Sequence, residues 1–546
     1  MTTPSTAAPR WYAAAAGVAA AAAALGAGEI VAAVVDARSS PLIAVGGVVI
    51  DKVPESGKAL AIRLFGTNDK LALEIGTVVL VCAIAAVFGL LSRRRLWVGL
   101  VGFGVFGAIS VAAGLTRAGA SIAWAAPGLV AAGVAMAVLW QLLTLLDRVD
   151  AAGDRSNEST RVADTDAVGT GGTATIQQGE PPPRPREWIR TPAPSRRLFL
   201  QLSAAAAAGG AVLGYLGHLF GQLSNVNSAR EAIRAKLPLP SGHPASPIPG
   251  SDVAGLSYVT PNNVFYRIDT ALVVPKVDPA DWTLTIGGRV GKPLQLSFDD
   301  LLRRPMIERF ITLACVSNEI GGDLIGNASW LGVPIADLLD EVDPDPAADQ
   351  VVSWSVDGFS AGTPTAVLRD GRDALLAVAM NGEPLPVEHG FPVRMVVPGL
   401  YGYVSATKWL SKLELTTFAD YDAYWIPRGW AQQAPIKTGS RIDRPRRGDQ
   451  IGAGEYVVAG VAWAQHRGIS TVEVRVDQGP WQTASLSMVA SIDTWRLWSW
   501  RWNATPGDHV LEVRATDNAG AVQTDRVAPP APDGATGHHV IAVQVS

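Results

Sequence analysis

Apolar and polar positions divide the chain into three regimes. Up to Leu146 the apolar residues come in long runs, Trp11–Ile30, Leu71–Leu91, Leu96–Thr116 and Ile122–Leu146, each long enough to span a bilayer as a helix. Ala151–Pro194 has no apolar period and is rich in Gly, Thr, Pro and charge, the composition of a linker. A fifth apolar segment then runs from Leu198 to about Gly221. After a Pro/Gly/Ser-rich stretch, Lys236–Ser257, short runs of alternating character begin, broken by Gly, Pro and Asp. That pattern predicts strands.

Charge orients the apolar runs. Arg93, Arg94 and Arg95 between the second and third runs resist translocation and mark that loop as cytoplasmic. The N-terminus and the linker after Leu146 then lie on that side, and the fifth apolar segment carries everything after it to the other. Pro41–Ile50 is too short to span and is expected to lie along the surface or dip in. No histidine precedes His218, so the first four helices cannot supply the paired imidazoles of a b-type haem.

Composition agrees with a chain that is part membrane and part globular: 48% of the 546 residues are hydrophobic and only 17% charged. A net charge of -4 gives no case for nucleic acid.

Of the two cysteines, Cys82 lies in an apolar run, so Cys315 has no evident disulfide partner. Cys315 ends an apolar, β-prone run, Phe310–Val316, and opens a polar turn, Ser317–Gly322. A strand end is held rigidly while the loop's free backbone groups can face a ligand. Such a thiol is reactive or metal-bound, or it is inert and buried; by residue type alone the inert reading leads.

The words around it change that balance. Cys-Val-Ser-Asn, Gly-Gly, Leu-Ile-Gly-Asn-Ala and Trp-Leu-Gly-Val-Pro, between Cys315 and Pro334, resemble the molybdenum-binding segment of the sulfite oxidase family of molybdopterin oxidoreductases. The resemblance covers about Val259–Ser546. It includes Thr260–Asp269, Asn381–Arg394 and Val397–Leu410.

It implies that Cys315 ligates molybdenum and that Arg267 faces an oxyanion substrate. Asn262, Asn263, Tyr266, His389, Arg394, Ser405 and Lys408 would hold the pterin and its phosphate. A soft thiolate suits a metal already bound by dithiolene sulfurs. Arginine and lysine suit a phosphate. Two positions depart from the family. Glu319 and Ile320 stand where a second arginine is usual, and by ungapped count Trp430 stands where an active-site tyrosine is usual, with Tyr424 and Arg428 nearby as substitutes. The anion pocket is thus less basic than the sulfite pattern.

Ser195-Arg196-Arg197-Leu198-Phe199-Leu200 resembles a twin-arginine export signal displaced to mid-chain. The expected architecture is therefore multidomain. An α-helical transmembrane domain of four helices (1–150) is followed by a disordered cytoplasmic linker (151–194), a twin-arginine-like signal anchor that is the fifth transmembrane helix (195–222) and a tether (223–257). An α+β sulfite-oxidase-type molybdopterin domain (258–425) and an immunoglobulin-like β-sandwich (426–546) complete it.

The resemblance implies oxygen-atom transfer at molybdenum on the extracytoplasmic side of the cell membrane. Sulfite is the default substrate, and an S- or N-oxide reductase, such as a methionine sulfoxide reductase, is the alternative. A non-catalytic surface binding protein is the alternative of another class. With no haem or iron-sulfur motif in the sequence, electrons pass to an external carrier, a cytochrome or quinone. The C-terminal domain of the family also implies a homodimer.

Overall fold

The computed structural model describes residues 8–52, 69–117, 119–166, 195–222, 226–238, 240 and 248–546. It forms two compact units, Met1–Leu223 and Ser224–Ser546.

The first unit is helical: α1 (Trp11–Val35), α2 (Pro41–Lys52), α3 (Asp69–Ser92), α4 (Leu96–Leu115), α5 (Ala125–Asp166) and α6 (Arg196–Gln222). Among the described residues five spans are long and apolar enough to cross a membrane, all but the short α2 contributing one. Helix α1 is the hub and packs on α3, α5 and α6. Its Ala/Gly composition makes this possible, because a Cβ on Gly26 would collide with the Gly210 carbonyl of α6, and one on Gly17 with the Ala85 carbonyl of α3. Large apolar side chains such as Val79, Val101 and Leu129 point outward. At one end of the bundle Asp150 accepts from Ala8 N at 2.7 Å and pairs with Arg93 Nη2 at 2.5 Å. Ala8, Arg93 and Asp150 thus share one end of the bundle.

Two boundaries differ from expectation. Helix α5 runs on to Asp166, so 151–166 is helical rather than linker, while 167–194 lies outside the described residues. The expected tether contains a helix, α7 (Val226–Arg234), which buries Val226 and Ile233. Those two apolar residues, seven apart, give it one buried stripe on an otherwise polar helix.

In the second unit one sheet has the order β2-β1-β10-β5-β6, with β1 (Thr283–Gly288), β2 (Leu294–Ser297), β5 (Gln350–Ser355), β6 (Ser360–Pro364) and β10 (Leu410–Thr416). A second has the order β3-β4-β7-β8, with β9 also on β7: β3 (Ile307–Ala314), β4 (Ile325–Pro334), β7 (Leu375–Met380), β8 (Glu383–Pro384) and β9 (Arg394–Val396). Helices α8 (Phe298–Leu302) and α9 (Ile335–Glu341) follow β2 and β4. The stretch Thr260–Asp269, expected to continue an alternating strand pattern, is irregular. It is anchored instead by Thr260 N donating to Asn327 O at 2.8 Å.

The C-terminal region is all β and forms two sheets. One has the order β11-β13-β17-β16, from β11 (Gly439–Arg444), β13 (Gly454–Trp463), β16 (Ser485–Leu486) and β17 (Arg496–Ala504). The other has the order β12-β19-β18-β14-β15, from β12 (Gln450–Ile451), β14 (Ile469–Val476), β15 (Gln482–Thr483), β18 (Gly507–Asp517) and β19 (His539–Val545). Alternate residues of both sheets, among them Val458, Val472, Trp498 and Leu511, share one buried cluster. The core of the molybdopterin-type region does not stop at residue 425. It continues through Ala434 and Ile436 into Val461 and Trp463 of β13, Trp495 just before β17, and Leu497 of β17.

Candidate active site

Strand β3 carries Cys315 to the edge of a cavity of about 140 Å³. The register explains why other residues arrive there. Strand β3 pairs with β4 (Ala314 opposite Ile325), β4 with β7 (Trp330 opposite Met380), and β7 with β9 (Ala377 opposite Arg394). Arg394 therefore sits on the same sheet as the strand that ends at Cys315. Lys408 lies just before β10 of the other sheet, where Met395 N donates to Thr407 O at 2.8 Å and Leu410 N to Val393 O at 2.9 Å. Gly390 (φ +109°) lies between the two cations, and a Cβ there would come within 3.0 Å of Lys408 Cβ and 3.1 Å of Arg394 Cβ. Only glycine tolerates both the backbone angle and that approach.

Cys315, Tyr266, His389, Arg394 and Lys408 all line the cavity. The Cys315 thiol is buried, which pushes its pKa up. Burial raises the Tyr266 phenol as well, and the neighbouring Cys315 adds to the effect. His389 is pushed down to about 4, by burial and then by the Arg394 charge. Its Nε2 lies 3.1 Å from the Asn262 carbonyl and donates to it, so at neutral pH His389 is an uncharged donor.

Arg394 is the most informative group. It is 5% exposed, and its guanidinium donates to three carbonyls, those of His389 (3.1 Å), Met395 (3.4 Å) and Ala406 (3.4 Å), while lying 5.0 Å from the Trp330 ring centre. Among the described residues it has no carboxylate partner. Burial lowers its pKa to about 10, where it is still charged at neutral pH. Lys408 is lowered to about 8 by burial, against the pull of Asp269, whose Oδ2 lies 2.8 Å from Lys408 Nζ. A buried cation without a counter-charge is costly, so this cavity is built to receive an anion.

Other expected residues fall elsewhere. Arg267 is exposed, off the cavity lining, and reaches the site only through Asp269, at 3.1 Å from Oδ2. Asn262 is used internally, accepting from Asn381 Nδ2 at 2.8 Å, and Asn263 is exposed. The Ser405 hydroxyl is buried and donates to the Leu400 and Tyr401 carbonyls. Trp430 lines the cavity, whereas Tyr424 and Arg428 stand outside it, the Arg428 guanidinium stacked 3.7 Å from the Tyr424 ring centre.

Sequence reasoning missed Asp269, Phe359, Tyr403 and Trp425, which also line the cavity. Tyr403 donates to Ala431 O at 2.6 Å and packs 5.8 Å from Trp430, which is 6.2 Å from Trp425. The lining thus combines a cluster of aromatic rings with two cations. Of these, only Asp269 carried a signal, an acid two residues beyond the motif arginine.

Residues 271–425 match the family profile described as oxidoreductase molybdopterin binding domain. The mitochondrial sulfite oxidase of Homo sapiens is 30% identical over 348 residues, covering 53% of this chain and 62% of that protein. The sulfite oxidase of Gallus gallus is 30% identical over 345 residues, 53% of this chain and 73% of that protein. The protein-methionine-sulfoxide reductase catalytic subunit MsrP of Gluconobacter oxydans (strain 621H) is 31% identical over 221 residues, 34% of this chain and 65% of that protein. The chain spans under two thirds of the human relative's length.

The site residues fit molybdopterin. Its phosphate would supply the counter-charge that Arg394 lacks among the described residues, and Cys315 offers a soft sulfur in the lining of the same cavity.

Proposed function

The chain belongs to the sulfite oxidase family of molybdopterin oxidoreductases, and from that premise we propose a membrane-anchored, extracytoplasmic enzyme that transfers one oxygen atom and two electrons to or from a small oxyanion or oxide. The observation that carries the reading is the buried Arg394 guanidinium, held by carbonyls and, among the described residues, by no carboxylate, in the cavity that Cys315 lines. Arg394 and Lys408 would hold the cofactor phosphate, and His389 and Tyr266 would flank the pterin as uncharged groups. Cys315 would bind the metal as thiolate, the form a coordinated thiol takes. The cofactor supplies the redox and oxygen-transfer chemistry, and the chain supplies orientation and a dry, positively charged floor.

Sulfite is the default substrate: sulfite and water give sulfate, two protons and two electrons, which pass to an external cytochrome or quinone. A second reading reverses the direction, an S- or N-oxide taking two electrons and two protons to yield the reduced compound and water. Two observations favour it: Arg267 lies off the lining, and the wall of Phe359, Tyr403, Trp425 and Trp430 suits an organic substituent better than a bare dianion. The C-terminal sheets would form an immunoglobulin-like homodimerisation domain. The five apolar spans would anchor the chain with Ser224–Ser546 outside.

The test is molybdenum and pterin content of the full chain in detergent, beside Cys315→Ser, with both substrates offered. Stoichiometric molybdenum, with sulfite oxidation or methionine sulfoxide reduction that disappears in the variant, is expected and selects the direction. Absence of both metal and pterin, after expression in a host that makes the cofactor, overturns the reading.

A further inference from the structure

Cys315 is followed by a turn that closes on itself: Cys315 N donates to Leu324 O at 2.9 Å, and Leu324 N to Asn318 Oδ1 at 2.9 Å. The far side of this turn is gripped at three consecutive residues by the C-terminal sheets. The Ile320 side chain inserts against Gly537, where a Cβ would come within 2.6 Å of Ile320 Cδ1. Gly321, at φ +75°, abuts the His539 ring so closely that a Cβ on it would collide with Nε2. Gly322 O accepts from Arg441 Nη1 at 2.6 Å.

Both gripping side chains are themselves fixed. Arg441 is held on β11 by Asp443, with Nε 2.5 Å from Oδ1 and Nη2 3.3 Å from Oδ2. His539 Nδ1 accepts from Ile442 N at 3.0 Å, so its proton sits on Nε2, facing the turn. The strand before Cys315 is held by the same region. Thr312 N donates to Asp493 O at 3.0 Å, and Thr312 Oγ1 accepts from Trp495 N at 2.7 Å.

We propose that Arg441 and His539 are positioning residues for the Cys315 sulfur, fixing the Ile320–Gly322 turn so that the thiol is presented to the cavity in one geometry. The inference rests on the reading of Cys315 as metal ligand. It assigns the C-terminal sheets a role in the site of their own chain, separate from any role in dimerisation. A charge-assisted hydrogen bond to a backbone carbonyl two residues from the partner of Cys315 N is the strongest link in this chain of contacts. Its loss lets the turn open without disturbing either core.

The experiment uses the full chain in detergent with Cys82→Ser, so that Cys315 is the sole thiol, and measures its alkylation rate by iodoacetamide in cofactor-free protein. Arg441→Met is expected to speed alkylation about tenfold, the effect of one lost charge-assisted bond, at a Tm lowered because the Asp443 carboxylate loses its partner, with Arg441→Lys intermediate in both. The control Arg369→Met, which removes an exposed ion pair to Asp340, is expected to leave the rate alone. In the loaded enzyme Arg441→Met should lower kcat more than it changes KM. If Arg441→Met does not fold, His539→Gln, which keeps an acceptor for Ile442 N, takes its place. Folded variants with wild-type alkylation rate and kcat overturn the proposal. Faster alkylation in a chain that binds no molybdenum would retain the positioning role and remove the metal from it.

Discussion

Lys408 Nζ lies 2.8 Å from Asp269 Oδ2, and the same oxygen takes Arg267 Nε at 3.1 Å. One buried carboxylate therefore joins the deep cation of the cavity to the exposed arginine outside it. Lys408 also donates to Glu388 O at 3.1 Å, so it is positioned before any ligand arrives.

Because Lys408 is lowered to about 8, its charge is available to a phosphate below that pH and withdrawn above it. Cofactor retention is expected to weaken by up to about tenfold per pH unit above roughly 8. Lys408→Arg, which stays charged, should flatten that dependence. Pterin content after dialysis at pH 7 and at pH 9.5 measures it, and an equally steep loss in the arginine variant would refute the role given to Lys408.

Arg394 should show opposite effects on folding and on cofactor binding. In cofactor-free protein its buried charge lacks a carboxylate partner, so Arg394→Met is expected to leave stability unchanged or raise it by about 1–3 kcal/mol. The same variant should retain at least about tenfold less cofactor, having lost a charge-assisted contact. Denaturant unfolding and pterin assay on one preparation report both. Strong destabilisation of the cofactor-free form would mean that Arg394 is structural.

Much of this site was legible in the sequence because its chemistry lies in short motifs with unambiguous residue types. Cys315, His389, Arg394 and Lys408 are far apart in the chain, yet the β3-β4-β7-β9 pairing and the adjacent β10 edge bring all four to one cavity. What was not legible depends on side-chain direction. Ser405 and Asn262 belong to the right segments but spend their polar atoms on backbone and on Asn381. The aromatic wall comes from irregular loops, where no period marks which face a residue will take. Helix α7 was hidden because only Val226 and Ile233 of its nine residues are buried, too few for an apolar pattern. The C-terminal strand β18 was legible because one face of it is buried, leaving a period of two, whereas β13 buries both faces from Val458 to Trp463 and was legible as an apolar, β-branched run.

Two buried histidines give the second unit an acid-sensitive stability. His389 and His539 are both lowered to about 4, chiefly by burial. Their unfolded pKa is near 6.5. Between those values the unfolded chain binds protons that the folded chain refuses. Stability is therefore full above about pH 6.5, falls as the pH drops toward 4, and loses nothing further from these groups below it. Each contributes on the order of 2 kcal/mol. Unfolding midpoints at pH 7 and pH 5 should differ in wild type, and the difference should shrink in His539→Gln.

The helical unit makes a prediction about the segment with the twin-arginine pattern. Helix α6 packs along α1, and the contact has no side chains to yield: Gly26 faces Gly210 backbone to backbone. Overpacking a site bounded by backbone cannot be relieved by a rotamer change, so Gly26→Leu is expected to cost about 1–3 kcal/mol or more. The same substitution at Gly104 of α4, which has nothing within 4 Å, should be neutral or slightly favourable through helix propensity. Thermal unfolding of both variants in one detergent makes the comparison. Equal stability would mean that α6 is a free anchor beside the bundle. A selective loss in Gly26→Leu would make α6 an integral member of it, held in place by the first helix of the chain.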